Sequence, residues 1–429
     1  MKPLLVLCVL LAPLRAHEGR ITPDVAEDAR VSYEGSQLLK VTARTEGQKE
    51  ALHKLQDMEG VDTWLRLAIN SSTVDVLVKP ETADKVKEFL GSSGLTFDVV
   101  IDNLQAAIDT ENPTMSPEEM EELEGRKGHR MTWQSYHPLA DIHGYLDYLA
   151  QTYPQFVTLQ TIGTSVEGRP LKVLKISSNR PGSPAIWIDG GIHAREWISP
   201  ASVTYIINEL TENRDAHGEA VKNVDWYILP VLNPDGYEYS HRVDRLWRKN
   251  RHVNGKCAGT DLNRNFGYKW GGVGSSREPC QETFAGSHPF SEPESAAVSS
   301  FIQNQAGSLK VYLSFHSYGQ YILHPWGYIR AVPRDHADLS RVGRNIATAM
   351  YQAGGASYTV GGAAAMLYPA AGASDDWAKG AARIKYTYTI ELRDRGSFGF
   401  ILPVQYILPT AREALAAVKT LASEIANVR

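Results

Sequence analysis

Four side chains with metal or acid–base chemistry occur at the ends of segments that have the composition of buried strands. His193 and Glu196 follow directly on PAIWIDGG. His316 and Glu391 are the next-to-last residues of LKVYLSFHS and IKYTYTIEL. Two imidazoles and a carboxylate form a typical catalytic zinc site, with one coordination position left for water. His-x-x-Glu alone is frequent by chance, and a lone histidine is usually structural, so the shared location at strand ends favours the metal site.

Glu391 ends a strand in which most residues are apolar or aromatic. A carboxylate at this position is costly unless it is paired or used in chemistry. It could act as a general base, or it could form a buried ion pair with Arg393 or Arg395. Asp261 is a candidate to hold a ligand imidazole by a hydrogen bond, although it could equally cap a turn.

Arginines and an asparagine lie near these segments. WRKNR ends in Arg251, and DLNRNF contains Asn263 and Arg264. A guanidinium binds a carboxylate in bidentate fashion and stabilises a developing oxyanion. The alternative is a solvated basic face, where most arginines are found.

The elements that must position these side chains alternate along residues 131–429. Buried-strand candidates such as VDWYILPVLN are separated by helical stretches such as ISPASVTYIINEL and PTAREALAAVKTLASEIANV. This alternation predicts one α/β domain with a mostly parallel sheet and helices on both faces. In such sheets the ligand crevice lies beyond the carboxyl ends of the strands.

A different pattern precedes this domain. Residues 17–112 predict a small α+β domain, with strands in VDTWLRLA and STVDVLVK and a helix in PETADKVKEFLG. Residues 113–130 predict a connecting helix, which begins with a capping box at Ser116 and stops in the basic joint GRKGHR. Exposed basic joints are sites of proteolysis, so Arg126, Lys127 and Arg130 indicate a zymogen, or else an ordinary linker.

Composition and charge limit the function classes. The 429 residues are 43% hydrophobic and 22% charged with a net charge of −5, which is typical of a soluble globular protein and gives no basic patch for nucleic acid. Residues 1–16 predict a secretory signal peptide too short to span a membrane, and hence a secreted, extracellular protein; a buried strand is the alternative. Cys257 and Cys280 could form a disulfide or remain free thiols. Asn70 begins a glycosylation sequon.

The motifs GIHAREW, VLNPDGYEYS, RLWRKNR, DLNRNF, SFHSYGQ and TIELRDRGSFGF resemble those of the pancreatic-type zinc metallocarboxypeptidases of the carboxypeptidase A/B family, in the same order. The resemblance implies an eight-stranded mixed, mostly parallel sheet flanked by helices, preceded by an α+β activation domain. It also implies one Zn²⁺ per chain. The implied ligands are His193, Glu196 and His316.

The same resemblance assigns roles to further residues. Glu391 matches the general base, and Arg251 matches the arginine that stabilises the tetrahedral intermediate formed when zinc-bound water attacks. Asn263 and Arg264 match the pair that holds the substrate's terminal carboxylate. The remaining matches are a mobile tyrosine over the substrate, three outer-subsite residues and the family disulfide, at Tyr368, Arg195, Ser317, Tyr318 and Cys257–Cys280.

Specificity depends on the stretch AAGASDDW, residues 370–377. Asp375 falls where enzymes that release large apolar residues usually have isoleucine, so the resemblance implies a B-type enzyme that releases C-terminal Lys or Arg. Asp376 is common to both types and is expected to be structural. Gly327, where B types often have serine, leaves the Lys versus Arg preference open, and an A-type or mixed-specificity enzyme is the alternative.

The expected partners are peptides or proteins with C-terminal Lys or Arg and an activating trypsin-like protease. No nucleic-acid or membrane partner is expected, the chain is expected to be a monomer, and digestion is the expected role. Two other classes are considered: a zinc-dependent binding protein without catalysis, and a deacylase of small N-acyl amino acids. Glu391 and Arg251 argue against the first, and the basic joint and Asp375 argue against the second.

Overall fold

The structure is a computed structural model that describes residues 30–56, 58, 61–65, 72–305 and 307–426. The predicted signal peptide and the Asn70 sequon lie outside these residues. The described chain contains a four-stranded sheet in its first part and an eight-stranded sheet in the remainder. Each sheet has its own hydrophobic core.

The first part is an antiparallel sheet packed with helices. Its elements are β1 (Gln37–Thr42), α1 (Glu46–Gln56), β2 (Val61–Leu65), β3 (Thr73–Val78), α2 (Ala83–Ser92), β4 (Thr96–Ile101) and α3 (Leu104–Glu111). The strand order is β2-β3-β1-β4. The predicted strands and helix correspond to β2, β3 and α2. We call this part the leading domain.

A connecting helix, α4 (Pro117–Lys127), follows the leading domain. Ser116 and Glu119 form the predicted capping box, in which each side chain accepts a hydrogen bond from the backbone N–H of the other residue. The helix extends through Arg126 and Lys127, further than the sequence pattern indicates. It ends at Gly128, whose left-handed backbone (φ 78°) closes the last turn.

The second part, residues 131–426, is an α/β domain. Its strands are β5 (Val157–Thr164), β6 (Pro170–Ile176), β7 (Ala185–Asp189), β8 (Asp225–Leu229), β9 (Val253–Asn254), β10 (Cys257–Ala258), β11 (Leu309–His316), β12 (Tyr321–His324), β13 (Thr359–Gly362) and β14 (Tyr386–Glu391). Its helices are α5 (Leu139–Thr152), α6 (Ile198–Thr211), α7 (Glu219–Lys222), α8 (Pro234–Arg242), α9 (Pro293–Gln305), α10 (His336–Gly354), α11 (Ala363–Met366), α12 (Ser374–Gly380) and α13 (Ile407–Ala426).

The large sheet has the order β13-β12-β14-β11-β7-β8-β6-β5 and is mixed. Strands β14, β11, β7 and β8 are mutually parallel, whereas β6 pairs antiparallel with both β5 and β8, and β12 pairs antiparallel with β14. The parallel pairing expected from the alternation is therefore found among the four central strands and between β12 and β13. The β5–β6 connection is too short for a crossover, which requires an antiparallel pair there.

Three adjacent central strands position the functional side chains. Because β7, β11 and β14 are neighbours and parallel, their carboxyl ends meet at one edge of the sheet. The register places His316 directly opposite Glu391.

No helix within the described residues is long and apolar enough to cross a bilayer.

Candidate active site

His193, Glu196 and His316 converge just beyond the ends of β7 and β11. His193 Nδ1 lies 2.7 Å from Glu196 Oε1, and His316 Nδ1 lies 3.1 Å from Glu196 Oε2 and 3.2 Å from His193 Nδ1. The ligand atoms of all three lie within 4.8 Å of one another. All three side chains are buried. The spacing fits a single metal ion.

The donor set fits zinc, which prefers imidazole nitrogen and carboxylate oxygen at such sites. His193 Nε2 lies 3.2 Å from Asp261 Oδ1, so this carboxylate fixes the ring and leaves Nδ1 free to bind. Burial alone would raise the pKa of Glu196, but His193 and His316 outweigh it and hold that pKa far below its usual value. Asp261 Oδ1 also accepts from the backbone N–H of Asn263 at 2.9 Å and so caps the turn that follows it, which means that both sequence interpretations of Asp261 describe its contacts.

Glu391 is the last residue of β14 and lines the same cavity as the three metal-binding side chains. Burial raises the pKa of its carboxyl group to about 7. The alternative ion pairs are not formed, because Arg393 binds Glu413 and Arg395 Nη2 donates to the carbonyl of Ser357. The carboxylate is therefore available for proton transfer.

The structure corrects one assignment among the arginines. Arg251 does not line the cavity; its guanidinium lies over the rings of Tyr239 and Trp247, 3.6 and 4.4 Å from their centroids. Arg248 lines the cavity instead, with Nη1 4.0 Å from Glu196 Oε1. Its side chain is fixed by Asp261, which accepts from Nη2 at 2.9 Å.

Asn263 and Arg264 lie on a single 3₁₀ turn, Leu262–Arg264, and both line the cavity. The Arg264 guanidinium is held by two backbone carbonyls: Nε donates to Gly274 at 2.9 Å and Nη1 to Asn263 at 2.8 Å. Asn263 Oδ1 accepts from Ser374 N at 2.9 Å. The turn therefore presents a fixed cation and an amide to the cavity.

The cavity has a volume of about 100 Å³. Much of its wall is apolar, formed by Leu323, Gly327, Ala363, Leu367, Ala370 and Ala373. Asp375 lies among these residues, is only 4% exposed, and forms no ion pair with a cationic side chain in the described part of the chain. Burial raises its pKa.

Asp376, the next residue, has a structural role in the wall of the cavity. Its Oδ1 and Oδ2 accept hydrogen bonds from the backbone N–H groups of Gly327 and Tyr328, at 2.8 and 2.7 Å. Burial, together with the neighbouring Asp375, raises its pKa to about 8. These contacts confirm that Asp376 fixes the cavity wall.

Two of the three expected outer-subsite residues, Arg195 and Tyr318, contact the leading domain. Arg195 Nη1 donates to Asp62 Oδ2 at 2.8 Å, and the Tyr318 hydroxyl donates to Asp75 Oδ2 at 2.8 Å. Ser317 lines the cavity, and its backbone N–H donates to Glu196 at 3.2 Å. Tyr368 also lines the cavity.

The sequence interpretation missed two residues that line the cavity, Trp64 and Arg248. Trp64, on β2 of the leading domain, lines the cavity and packs against Phe400, with ring centroids 5.0 Å apart. Arg248 was missed because RKNR contains three cations and only tertiary contacts distinguish them. No local signal in the sequence connects Trp64 with the α/β domain.

The two cysteines form a disulfide between Cys257 and Cys280, whose Cα atoms are 5.2 Å apart. This confirms the pairing. Lys249 donates to the carbonyls of Pro279 and Gln281 beside the bridge, at 2.8 and 3.2 Å. The bridge closes the 257–280 loop, and the lysine attaches one end of this loop to the segment that carries Arg248.

Comparisons with known proteins agree with this geometry. The family described as zinc carboxypeptidase matches residues 142–417, and the family described as carboxypeptidase activation peptide matches residues 39–111. Carboxypeptidase B from Astacus astacus is 45% identical and covers 68% of this chain and 98% of its own. Zinc carboxypeptidase A 1 from Anopheles gambiae is 36% identical over an alignment that covers 94% of this chain and 92% of that protein.

Among solved structures, thrombin activatable fibrinolysis inhibitor is 37% identical, covers 92% of this chain and all of its own, and superposes with a TM-score of 0.83. The carboxypeptidase fold, the activation peptide and a zinc site at His193, Glu196 and His316 are thus established together. This chain belongs to the zinc carboxypeptidase family and carries that family's activation peptide.

Proposed function

We propose that this zinc carboxypeptidase zymogen is secreted, is activated by a trypsin-like protease, and then releases C-terminal Lys or Arg from peptides. The observation that carries the specificity is the buried Asp375 carboxylate, which forms no ion pair with the described cationic side chains. A buried carboxylate is unfavourable without a cationic partner. The side chain of a basic C-terminal residue supplies one.

The terminal carboxylate of the substrate binds the fixed guanidinium of Arg264 and the amide of Asn263. A bidentate arginine–carboxylate contact provides both energy and orientation. Tyr368 covers the bound residue and excludes water. The support for these roles is that all three side chains line the cavity that contains Asp375.

Zinc, when bound, supplies a Lewis acid and lowers the pKa of water. Glu391 accepts the proton of the attacking water and transfers it to the leaving amine nitrogen. Arg248, rather than Arg251, stabilises the negative charge that develops on the carbonyl oxygen, because Asp261 holds its guanidinium toward the metal site.

The leading domain keeps the uncut chain latent. Trp64 occupies part of the cavity wall, while Asp62 and Asp75 bind Arg195 and Tyr318 beside it. These contacts cover the crevice through which a peptide would enter. Cleavage at the joint around residues 126–130 releases the leading domain and with it these contacts. The product is a monomeric enzyme, for which we propose a digestive role.

One observation favours a second candidate, an A-type or mixed-specificity enzyme. The cavity wall is largely apolar, and the relatives include a protein named as a carboxypeptidase A. Apolar C-terminal residues could pack against such a wall, but they would leave the Asp375 carboxylate without a cationic partner. We expect this to disfavour them by ~10³-fold.

The test compares the activated enzyme on acyl dipeptides ending in Arg, Lys, Phe and Glu, with and without a zinc chelator. We expect hydrolysis of the Arg and Lys substrates alone, abolished by the chelator. Asp375→Asn keeps the shape of the side chain but removes its charge. We expect the variant to lose the basic preference and retain its zinc content. Preferential release of Phe by the unaltered enzyme would refute B-type specificity.

A further inference from the structure

The joint between α4 and the α/β domain offers three bonds to a Lys- or Arg-specific protease, after Arg126, Lys127 and Arg130. All three side chains are exposed, so side-chain exposure does not distinguish them. We propose that the activating cut falls first at the Lys127–Gly128 bond and that the Arg130–Met131 bond is protected. This inference rests on the proposed zymogen function.

The Lys127–Gly128 bond lies at the C-terminal end of α4, a helix whose side chains are mostly exposed. Of the residues in α4, which the structure describes completely, only Leu123 is buried. Gly128 N donates to Glu124 O at 2.7 Å, which closes the last turn. Opening this turn breaks terminal hydrogen bonds and the solvent-exposed ion pair between Arg130 Nε and Glu124 Oε2, 2.8 Å apart, but it exposes no apolar side chain. A protease can therefore extend residues 124–128 at low cost.

The backbone beyond Gly128 is attached to the α/β domain. An added Cβ at Gly128 would come within 2.9 Å of the Tyr148 ring, so the chain passes close to this side chain. His129 is 6% exposed and packs against Tyr145 and Tyr148, with ring centroids 4.6 and 5.0 Å apart. Its Nδ1 accepts a hydrogen bond from Met131 N at 3.1 Å.

Arg130 is exposed between two buried neighbours. Met131 is 2% exposed and belongs to the core of the α/β domain. A protease that cuts after Arg130 must extend both His129 and Met131 out of their contacts. Exposing a buried side chain the size of methionine reduces the population of the open form by roughly 10- to 100-fold.

Cleavage by a protease follows the population of the open form when opening is fast. The open form needed at Lys127–Gly128 exposes no core residue, whereas the one needed at Arg130–Met131 exposes two buried side chains. The Arg126–Lys127 bond requires more of α4 to unwind than the Lys127–Gly128 bond does. The new enzyme chain thus begins at Gly128 and keeps His129 and Met131 as anchors of its first residues.

The experiment is limited trypsin digestion of the full chain, sampled at early times by intact mass and N-terminal sequencing. We expect the first large fragment to begin at Gly128. Lys127→Gln should slow the first cut about tenfold and move it to the bond after Arg126. The matched variant Arg130→Gln also removes the exposed ion pair with Glu124, so it should leave the N-terminus unchanged and should not slow the first cut. A first fragment that begins at Lys127 or Met131, or a tenfold slower first cut in Arg130→Gln, would overturn the proposal.

A third variant tests the role of the anchors directly. His129→Ser removes the ring that packs against Tyr145 and Tyr148, so cleavage at Arg130–Met131 should become at least tenfold faster. Its melting curve and zinc content show whether the domain remains folded. An unchanged rate at this bond in a folded variant would contradict the protection by His129.

The digestion also separates this proposal from the proposed specificity. A cut after Lys127 leaves an activation peptide that ends in Arg126 and Lys127, which a B-type enzyme would then remove. Repeating the digestion on Glu391→Gln blocks such trimming without changing which bond opens. Absence of trimming in the unaltered chain counts against the basic specificity, whereas the N-terminus of the large fragment reports on the activation bond alone.

Discussion

Asp261 acts on two functional side chains at once. Its Oδ1 lies 3.2 Å from His193 Nε2, and its Oδ2 accepts from Arg248 Nη2 at 2.9 Å. A single buried carboxylate therefore fixes both a metal ligand and the cationic side chain beside it. This contact explains why Arg248, and not Arg251, belongs to the site, since Arg251 lies instead on the rings of Tyr239 and Trp247.

Replacing each arginine by alanine tests this distinction. Arg248→Ala removes the group that stabilises the developing oxyanion, so we expect kcat to fall by about 10²- to 10³-fold. Arg251→Ala removes only stacking contacts with two aromatic rings, and we expect less than a tenfold loss. Steady-state kinetics of the activated variants on one acyl-Arg dipeptide, with zinc content as the control, measure both. A larger loss of kcat in Arg251→Ala than in Arg248→Ala would show that Arg251 stabilises the oxyanion, as the sequence resemblance implied.

At the scale of elements, α3 attaches the leading domain to the catalytic domain. Glu111, at its last turn, is 2% exposed and binds Arg245 through two hydrogen bonds of 2.7 Å. The Arg245 guanidinium also lies 3.7 Å from the centroid of Trp197 and donates to the carbonyls of Arg195 and Phe400. This buried ion pair joins the end of α3 to the segment between His193 and α6.

Glu111→Gln should weaken this attachment. The variant leaves the Arg245 cation buried without a charged partner, and breaking such a pair costs about 3–5 kcal/mol. We expect the uncut chain to melt at a lower temperature and to hydrolyse a small acyl-Arg dipeptide faster than the unaltered zymogen.

A matched control is Glu118→Gln on the exposed face of α4, which should change neither property. Mature enzyme prepared from the Glu111 variant should be indistinguishable from the unaltered enzyme, because residue 111 is removed on activation. A Glu111 zymogen as latent and as stable as the control would show that other contacts hold the leading domain.

At the scale of the whole molecule, the metal site connects distant parts of the chain. His193 and Glu196 follow β7, His316 ends β11, and all three are buried. A metal ion that binds only the folded state stabilises it by RT ln(1 + [L]/Kd), about 4 kcal/mol at a thousandfold excess over Kd. Zinc is thus expected to contribute to the stability of the catalytic domain as well as to the reaction.

Calorimetry of the metal-free full chain at increasing free zinc tests this expectation. The melting temperature should rise with zinc concentration, because three ligands from separate elements bind one ion. His316→Ala should lose most of the rise, whereas His288→Ala, which changes an exposed histidine, should retain it. A melting temperature independent of zinc in the unaltered chain would argue against this metal site.

The sequence alone was sufficient to predict the chemically active residues at the strand ends. His193 with Glu196, His316 and Glu391 each follow or end a recognisable buried strand, and parallel neighbouring strands bring their carboxyl ends to one edge of the sheet. The capping box at Ser116 was equally predictable, because its hydrogen bonds join residues three apart. These features depend on local pattern and strand order.

Only the tertiary structure decided which arginine faces the metal site, which residues of the leading domain cover the cavity, and which bonds of the joint are protected. Arg248, Trp64 and His129 owe their positions to contacts with Asp261, Phe400 and Tyr145, residues at least 13 positions away along the chain. No local pattern encodes such contacts, since they form only when separate elements pack together. The sequence determined the side chains available for catalysis, and packing determined which of them are used.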